Sequence, residues 1–460
     1  MKPRRILVAL AAITLLVAGC SGRSDDGGGG SEGGDEKSSS AASGDFGDLT
    51  GICGPGDAKA ATAQGVTADS ITVGVFTDLG FNKNPEFVDA ANVFTSWCNA
   101  AGGINGRKLV PNIHDAKLME VRQRMIEACR DDFALVGGGV GFDGLGVKER
   151  LGCLLPSFPA QVAQVTAIGA DLELSASPSR WVGYDSYYGF RKWALDTYPD
   201  SRNAVGILRG DAAVTKTLAD QGTETIQAAG GTVVWQDAYP ASGIADWTPY
   251  AQAIKEKGVK GLIFYGNPTH LPKLEETLTG MEYKLDWIDT TNNNYSQDFI
   301  DQLGRSAEYQ NNFLDLGGFA PIELADEIPA LQQVKDMYAE YAPDATITFP
   351  AMRAMSAWAL FSKAATACGD ELTRKCVYEN GLKETEWTGG GLHAPVKVGD
   401  KTSPSPCFNL EQVTPDGWKP ADFNPDNGLY RCDIPPYKYT QDYGKPMTLA
   451  DVGKSMNDFN

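Results

Sequence analysis

At 460 residues, 42% of them hydrophobic, the chain is long enough for two sizeable cores and too apolar for a disordered polymer. Its 40 basic and 59 acidic residues leave a formal net charge of −19, which argues against a surface that holds nucleic acid or anionic headgroups by charge. Three histidines and nine cysteines, with no Cys-x-x-Cys spacing, argue against a zinc site, and no metal ligands are assigned.

The chain opens with a targeting pattern over residues 1–20. Lys2, Arg4 and Arg5 precede the apolar run Ile6–Ala18, which is too short to span a bilayer as a mature helix. Val17-Ala18-Gly19-Cys20 resembles a bacterial lipobox, which implies a lipid on Cys20 and anchorage to the extracytoplasmic face of the cell membrane. Residues 21–50 carry nine glycines and seven serines and read as a flexible tether. Its root-mean-square span is roughly 30 Å, at about 5–6 Å × √n.

From Ile71 the pattern alternates. Ile71–Phe76 is a predicted strand. Asn84 and Pro85 open a helix whose apolar face is Phe87, Ala90, Ala91, Phe94, Trp97 and Cys98. Lys108–Ile113 is a second strand, and Leu118, Val121, Met125 and Cys129 line a second helix. Phe133–Val136 is a third strand, and Cys153–Leu155 starts a fourth. A second run of the same kind follows, with strands at Ala204–Leu208, Val233–Gln236, Gly261–Tyr265 and Asp286–Asp289. Such alternation builds parallel sheets covered by helices, so the fold class is α/β with two Rossmann-like doubly wound lobes. The boundaries read as 65–185 for lobe 1 and 186–315 for lobe 2. Phe313–Leu316 reads as a short strand, helices follow near 323–341 and 351–367, and 401–460, with eight prolines, read as an irregular appendage.

The most informative stretch is Phe133–Gly144, where an apolar strand runs into clustered glycines before a helical pattern. Ligands of open α/β sheets sit off the carboxyl ends of strands, and glycine allows backbone to approach them closely. Gly139-Val-Gly141-Phe-Asp-Gly144 also fits G-x-G-x-x-G, the dinucleotide fingerprint. That motif belongs to the first βα turn and needs an acid at the end of the next strand, where this chain has Pro156-Ser157-Phe158-Pro159. The glycines therefore read as a tight turn carrying one rim of a ligand site, with no cofactor; a nucleotide-dependent enzyme is the weaker alternative. No G-x-S-x-G, H-E-x-x-H or P-loop is present, no catalytic residue is assigned, and His114 reads as a satisfied loop histidine.

With Cys20 lipidated, eight cysteines remain, an even number for an exported protein. Cys407 pairs with Cys432 as the only two in the tail, and Cys368–Cys376 closes a local loop. In a sheet ordered 2-1-3-4, right-handed crossovers place Cys129 beside Cys153 and leave Cys98 for Cys53; other pairings among these four remain open.

Ala100-Ala-Gly-Gly-Ile-Asn-Gly-Arg-Lys-Leu109 resembles the helix-to-strand turn of type I periplasmic binding proteins, in the branched-chain amino acid and amide branch that serves ABC importers. Asp69–Val75, Ala134–Gly138, Asp246–Lys255, Gly261–Gly266 and Thr388–Pro395 are similar to the same branch, so the resemblance spans roughly residues 65–400. It implies a hinge between the lobes, a return of residues 316–400 to complete lobe 1, and a small solute held in the cleft for delivery to permease subunits. A ligand-binding component of a sensing system is the alternative. The resemblance places the first rim at Gly138, Gly139, Phe142, Asp143, Ser157 and Phe158. Tyr184, Arg209, Asp211, Asn267, Asn292, Tyr295 and Phe319, near predicted strand ends, form the rest of the site. Val214 and Thr291 stand where the branch usually has a tyrosine and an ammonium-binding acid, which points away from an ordinary α-amino acid. Trp181, Tyr187 and Tyr188 read as hinge packing.

Overall fold

The computed structural model describes residues 43–178, 182–291, 294–401 and 404–459. The expected lipidation site Cys20, the ligand residue Asn292 and the hinge residue Trp181 lie outside them.

Four strands form the first sheet: β1 (Ser70–Thr77), β2 (Lys108–Asp115), β3 (Leu135–Val136) and β4 (Ser157–Phe158). All pairs are parallel and the order is β2-β1-β3-β4. The last five residues of β1 are buried, as expected of a strand covered on both faces. The helix Glu86–Ala100 buries Phe87, Ala90, Phe94, Trp97 and Cys98 at the spacing read from the sequence. The helix Phe349–Thr366 returns from far along the chain to pack on it and on β3 and β4. It is buried on nearly every side, which matches its composition: 16 of its 18 residues are buried.

The second sheet has seven strands in the order β12-β11-β10-β9-β8-β6-β7. Its parallel part is β6 (Val205–Gly210), β7 (Val233–Tyr239), β8 (Gly261–Tyr265), β9 (Trp287–Asp289) and β10 (Asn312–Asp315). Here the reading of 401–460 as irregular needs correction. β11 (Leu410–Thr414) and β12 (Gly417–Pro420) form a hairpin that joins β10 antiparallel. The signal was Pro415-Asp416-Gly417, a turn former between runs carrying Leu410, Val413 and Trp418.

The remaining tail crosses from one lobe to the other. β13 (Tyr437–Lys438) pairs with β5 (Tyr184–Asp185). The Glu224 carboxylate on the lobe 2 helix Ala213–Ala228 accepts from the hydroxyls of Tyr437 (3.1 Å) and Tyr443 (2.8 Å). Beyond that clamp, Leu449 N–H donates to Asp171 (2.7 Å) in lobe 1.

The expected tether is shorter than 21–50, since Phe46 is fully buried, with its ring centroid 6.1 Å from Phe94 and 5.9 Å from Trp97. It is the only large aromatic in that stretch, and burying it docks the segment. Disulfides join Cys53–Cys98, Cys129–Cys153, Cys368–Cys376 and Cys407–Cys432. In the turn at 100–109 the guanidinium of Arg107, wholly buried, donates to the carbonyls of Thr67 (3.0 Å) and Ala60 (2.7 Å), tying turn to neighbouring chain.

Lobe 2 holds carboxyls that burial keeps protonated. Glu275 is fully buried, and Asn312 Nδ2 donates to it at 2.8 Å. Burial raises its pKa from 4.5 to about 8, with the Asn312 bond opposing. Between those values the folded state keeps a proton that the unfolded chain has lost, so stability falls as pH rises through that window. Asp315, pushed by burial to about 8, adds to the same trend. Glu275→Gln should therefore gain thermal stability relative to wild type as pH is raised from about 6 to about 9. Melting curves with a pH-independent difference would contradict this.

Candidate functional site

A cleft of about 580 Å³ lies between the carboxyl ends of the two sheets. One wall comes from the ends of β1 and β3 and the helix starting at Glu86: Asp78, Phe81, Phe87, Gly139 and Phe142. The other follows β6, β7, β8 and β9: Gly210, Tyr239, Asn267 and Phe299. A second chamber of about 220 Å³ continues toward the hinge, sharing Gly141, Gln161, Val214 and Thr215 with the cleft. Its floor is Tyr184, Tyr187, Arg191 and Arg353.

The glycine rim is built differently from its reading as a ligand cradle. Gly137 has φ +66°, and a Cβ there would come 2.3 Å from the Trp358 indole nitrogen. A Cβ on Gly138 would meet the backbone nitrogen of Phe76 at 2.5 Å. These two glycines serve packing of the loop on β1 and on the core helix. The amides are also occupied: Gly139 N–H donates to the Phe76 carbonyl (3.0 Å), Gly141 N–H to Asp78 Oδ2 (2.8 Å) and Gly144 N–H to Gln164 Oε1 (3.0 Å). Asp78 Oδ1 further accepts from Leu118 N–H at 2.7 Å. A carboxylate of the chain thus occupies the Gly141 amide, one of the loop donors on which a dinucleotide fingerprint would draw. Burial raises the Asp78 pKa, against the pull of these two amides.

The expected site residues divide. Gly139, Phe142 and Asn267 line the cleft, and Tyr184 lines the inner chamber. The Asn267 carboxamide also caps the turn that follows β8, accepting from Thr269 N–H at 3.0 Å. Asp143 and Ser157 instead line a small apolar cavity of about 60 Å³ beneath the glycine loop. Asp143 pins that loop to the next one through Ala163 N–H (2.7 Å) and Gln164 N–H (2.9 Å). Phe158 is fully buried, edge-on to Phe361, so it belongs to the core of lobe 1. In a two-residue strand, adjacent side chains face opposite sides, and Phe158 takes the inner one. Arg209 turns aside to Asp211 (3.4 Å). Tyr295 is buried beneath Trp418 of the hairpin and donates to Glu323, and Phe319 is buried against Phe349. His114 lies buried with its Nε2 2.7 Å from Asp132, away from the cleft. Tyr187, read as hinge packing, lines the chamber, whereas the Tyr188 ring lies tilted against that of Tyr437.

Asp78, Arg353, Gln161 and Thr215 were missed. Arg353 had a legible signal, a lone cation in the apolar first half of Phe349–Thr366. Among the described residues that line the cleft, Asp78, Glu86, Asp89, Asp298 and Asp344 outnumber Lys83. Glu86 is pushed by burial to about 7, opposed by the Thr348 hydroxyl that donates to it at 2.8 Å. At the chamber floor Arg191 pairs with Asp185, donates to the Tyr265 hydroxyl (2.5 Å) and lies 3.9 Å from Asp289. Thr225 donates to the same Asp185.

A family model described as periplasmic binding protein matches residues 188–417, half of the 460-residue chain. Among solved structures the chain is similar to a fatty acid ABC transporter substrate-binding protein from Thermomonospora curvata, at 15% identity and a TM-score of 0.62, covering 84% of this chain and 97% of that one. It is also similar to a branched-chain amino acid transporter substrate-binding protein from Streptococcus pneumoniae in complex with isoleucine, at 15% identity and a TM-score of 0.58, covering 76% and 98%. A third is an ABC transporter substrate-binding protein from Desulfitobacterium hafniense in complex with leucine, at 15% identity and a TM-score of 0.55, covering 77% and 100%. At these identities the likeness is one of fold. No curated protein sequence matches the chain.

Proposed function

The chain belongs to the periplasmic binding protein family, and from that membership we propose that it is an extracytoplasmic solute-binding protein that captures a small organic solute between its lobes and delivers it, unaltered, to an ABC importer. The observation that carries this is the cleft of about 580 Å³, which takes walls from the carboxyl ends of both sheets. A solute seated there touches both lobes fully only when they close, so its binding energy shifts the population toward the closed form. The permease subunits would recognise that closed face. The named ligands of the similar structures, a fatty acid, isoleucine and leucine, all carry a carboxylate and an apolar body. The lipobox supports anchorage through Cys20, which would hold the protein beside its permease.

A panel of amino acids, amides, amines and carboxylic acids tests this by thermal shift and X-ray scattering. A cognate compound at about 100-fold over its Kd should stabilise the protein by about 2.7 kcal/mol and reduce its radius of gyration. Stabilisation with unchanged scattering at saturation would contradict closure of the lobes.

A further inference from the structure

The inner chamber contains two buried arginines in opposite circumstances. Arg191 is neutralised by Asp185. Arg353 is 8% exposed, and its Nε has no hydrogen-bond partner. Its Nη2 donates only to the Tyr187 hydroxyl, at 3.4 Å, and its guanidinium carbon lies 3.9 Å from the centre of the Phe349 ring. Among the described residues no carboxylate lies within ion-pairing distance of it. Glu86 acts on it from farther off and is held by Thr348. A buried guanidinium without a counter-charge is costly, whereas a planar guanidinium that lines the chamber and keeps an unpartnered N–H matches a carboxylate.

The space around that fork sets the rest of the ligand. Val162, Val214, Leu218 and Phe264 line the chamber. Beyond the neck at Gly141 and Thr215, the cleft continues past Phe87 and Phe142. Asp89, Asp298 and Asp344 line the cleft away from the residues it shares with the chamber, whereas Asp78 is engaged by the neck amide of Gly141. One cation without an ion pair at the bottom and like charge toward the rim orient an anion head-first.

We propose that the cleft takes an organic monocarboxylate with an apolar body, its carboxylate seated on Arg353 at the hinge end and its body lying outward along the aromatic wall. This rests on the solute-binding reading above and names its ligand class. Arg353 binds the ligand, and Tyr187 is the positioning residue that holds its fork. An α-ammonium group is not required, because among the described residues no carboxylate lines the chamber wall other than those engaged by Arg191.

The test uses the full chain with octanoate, isovalerate and phenylacetate, their primary amides and their corresponding amines, read by thermal shift and calorimetry. At least one acid should raise Tm while its amide does not. Arg353→Gln should weaken that acid roughly 10- to 100-fold, the loss expected for a charge-assisted hydrogen-bond pair, and Arg353→Lys should retain part of the affinity. Without ligand, Arg353→Gln should melt no lower than wild type, since it removes an unpaired buried charge. Equal binding of acid and amide, undiminished acid binding by Arg353→Gln, or a large loss of ligand-free stability in that variant would each overturn the assignment. Shifts by amides or amines alone would sink it while leaving solute capture intact. No shift by any compound, with unchanged scattering, would sink both.

Discussion

Arg191→Met should lower the unfolding free energy by about 3–5 kcal/mol, the usual cost of leaving a buried charge without its partner. Arg191 and Asp185 are each only 3% exposed, and the pair sits where β5 enters the hinge. Removing the cation leaves Asp185 with the Thr225 hydroxyl and Tyr187 N–H but no counter-charge, and leaves Asp289 with its carboxyl already pushed up by burial and no longer drawn down by Arg191. The Tyr265 hydroxyl would lose its donor as well. Arg191→Met with Asp185→Asn should recover much of the loss, because a neutral pair carries little desolvation cost. Urea denaturation at neutral pH measures both. A loss below about 1 kcal/mol for the single variant would mean that water reaches the pair, as it does for exposed ion pairs.

Trp358→Ala should cost about 3–5 kcal/mol, the range for truncating a fully buried large aromatic. The indole is fully buried and stacks on Phe94 with ring centroids 5.8 Å apart and planes at 22°. It is also the surface on which Gly137 rests, so the cavity would open directly under the glycine rim. Trp358→Phe should cost far less, because the indole nitrogen has no hydrogen-bond partner to lose and most of the apolar contact remains. The two variants therefore separate packing from polarity. If ligand affinity falls with Trp358→Ala at a temperature where the protein stays folded, the core helix props the rim; unchanged affinity would confine Trp358 to stability.

Two-residue strands hide which of their side chains faces inward. In Tyr184–Asp185 and Ser157–Phe158, neighbouring side chains point to opposite faces, and one register step exchanges a cleft residue for a core residue. Phe158 reads as a rim residue and lies in the core; Asp185 carries no signal in the sequence and pairs with Arg191 at the chamber floor. Arg209 has the right position at the end of β6, yet a local partner two residues on draws it away. A glycine cluster signals close approach without saying what approaches, and here it is Trp358 and the Phe76 backbone.

The sequence alone settled the alternation of strand and helix, the α/β class and the family resemblance, because these are written in local periodicity and in short contiguous turns such as 100–109. It also contained the hairpin turn at Pro415-Asp416-Gly417, although its strands were too short to stand out. Only the tertiary structure decided which groups meet at the hinge. Arg353 comes there on a helix more than 160 residues beyond Tyr187, and Glu224 meets Thr440 across 216 residues of chain. Such meetings depend on how two sheets and a returning helix pack, and local pattern carries no record of distant contacts or of which buried charge finds a partner.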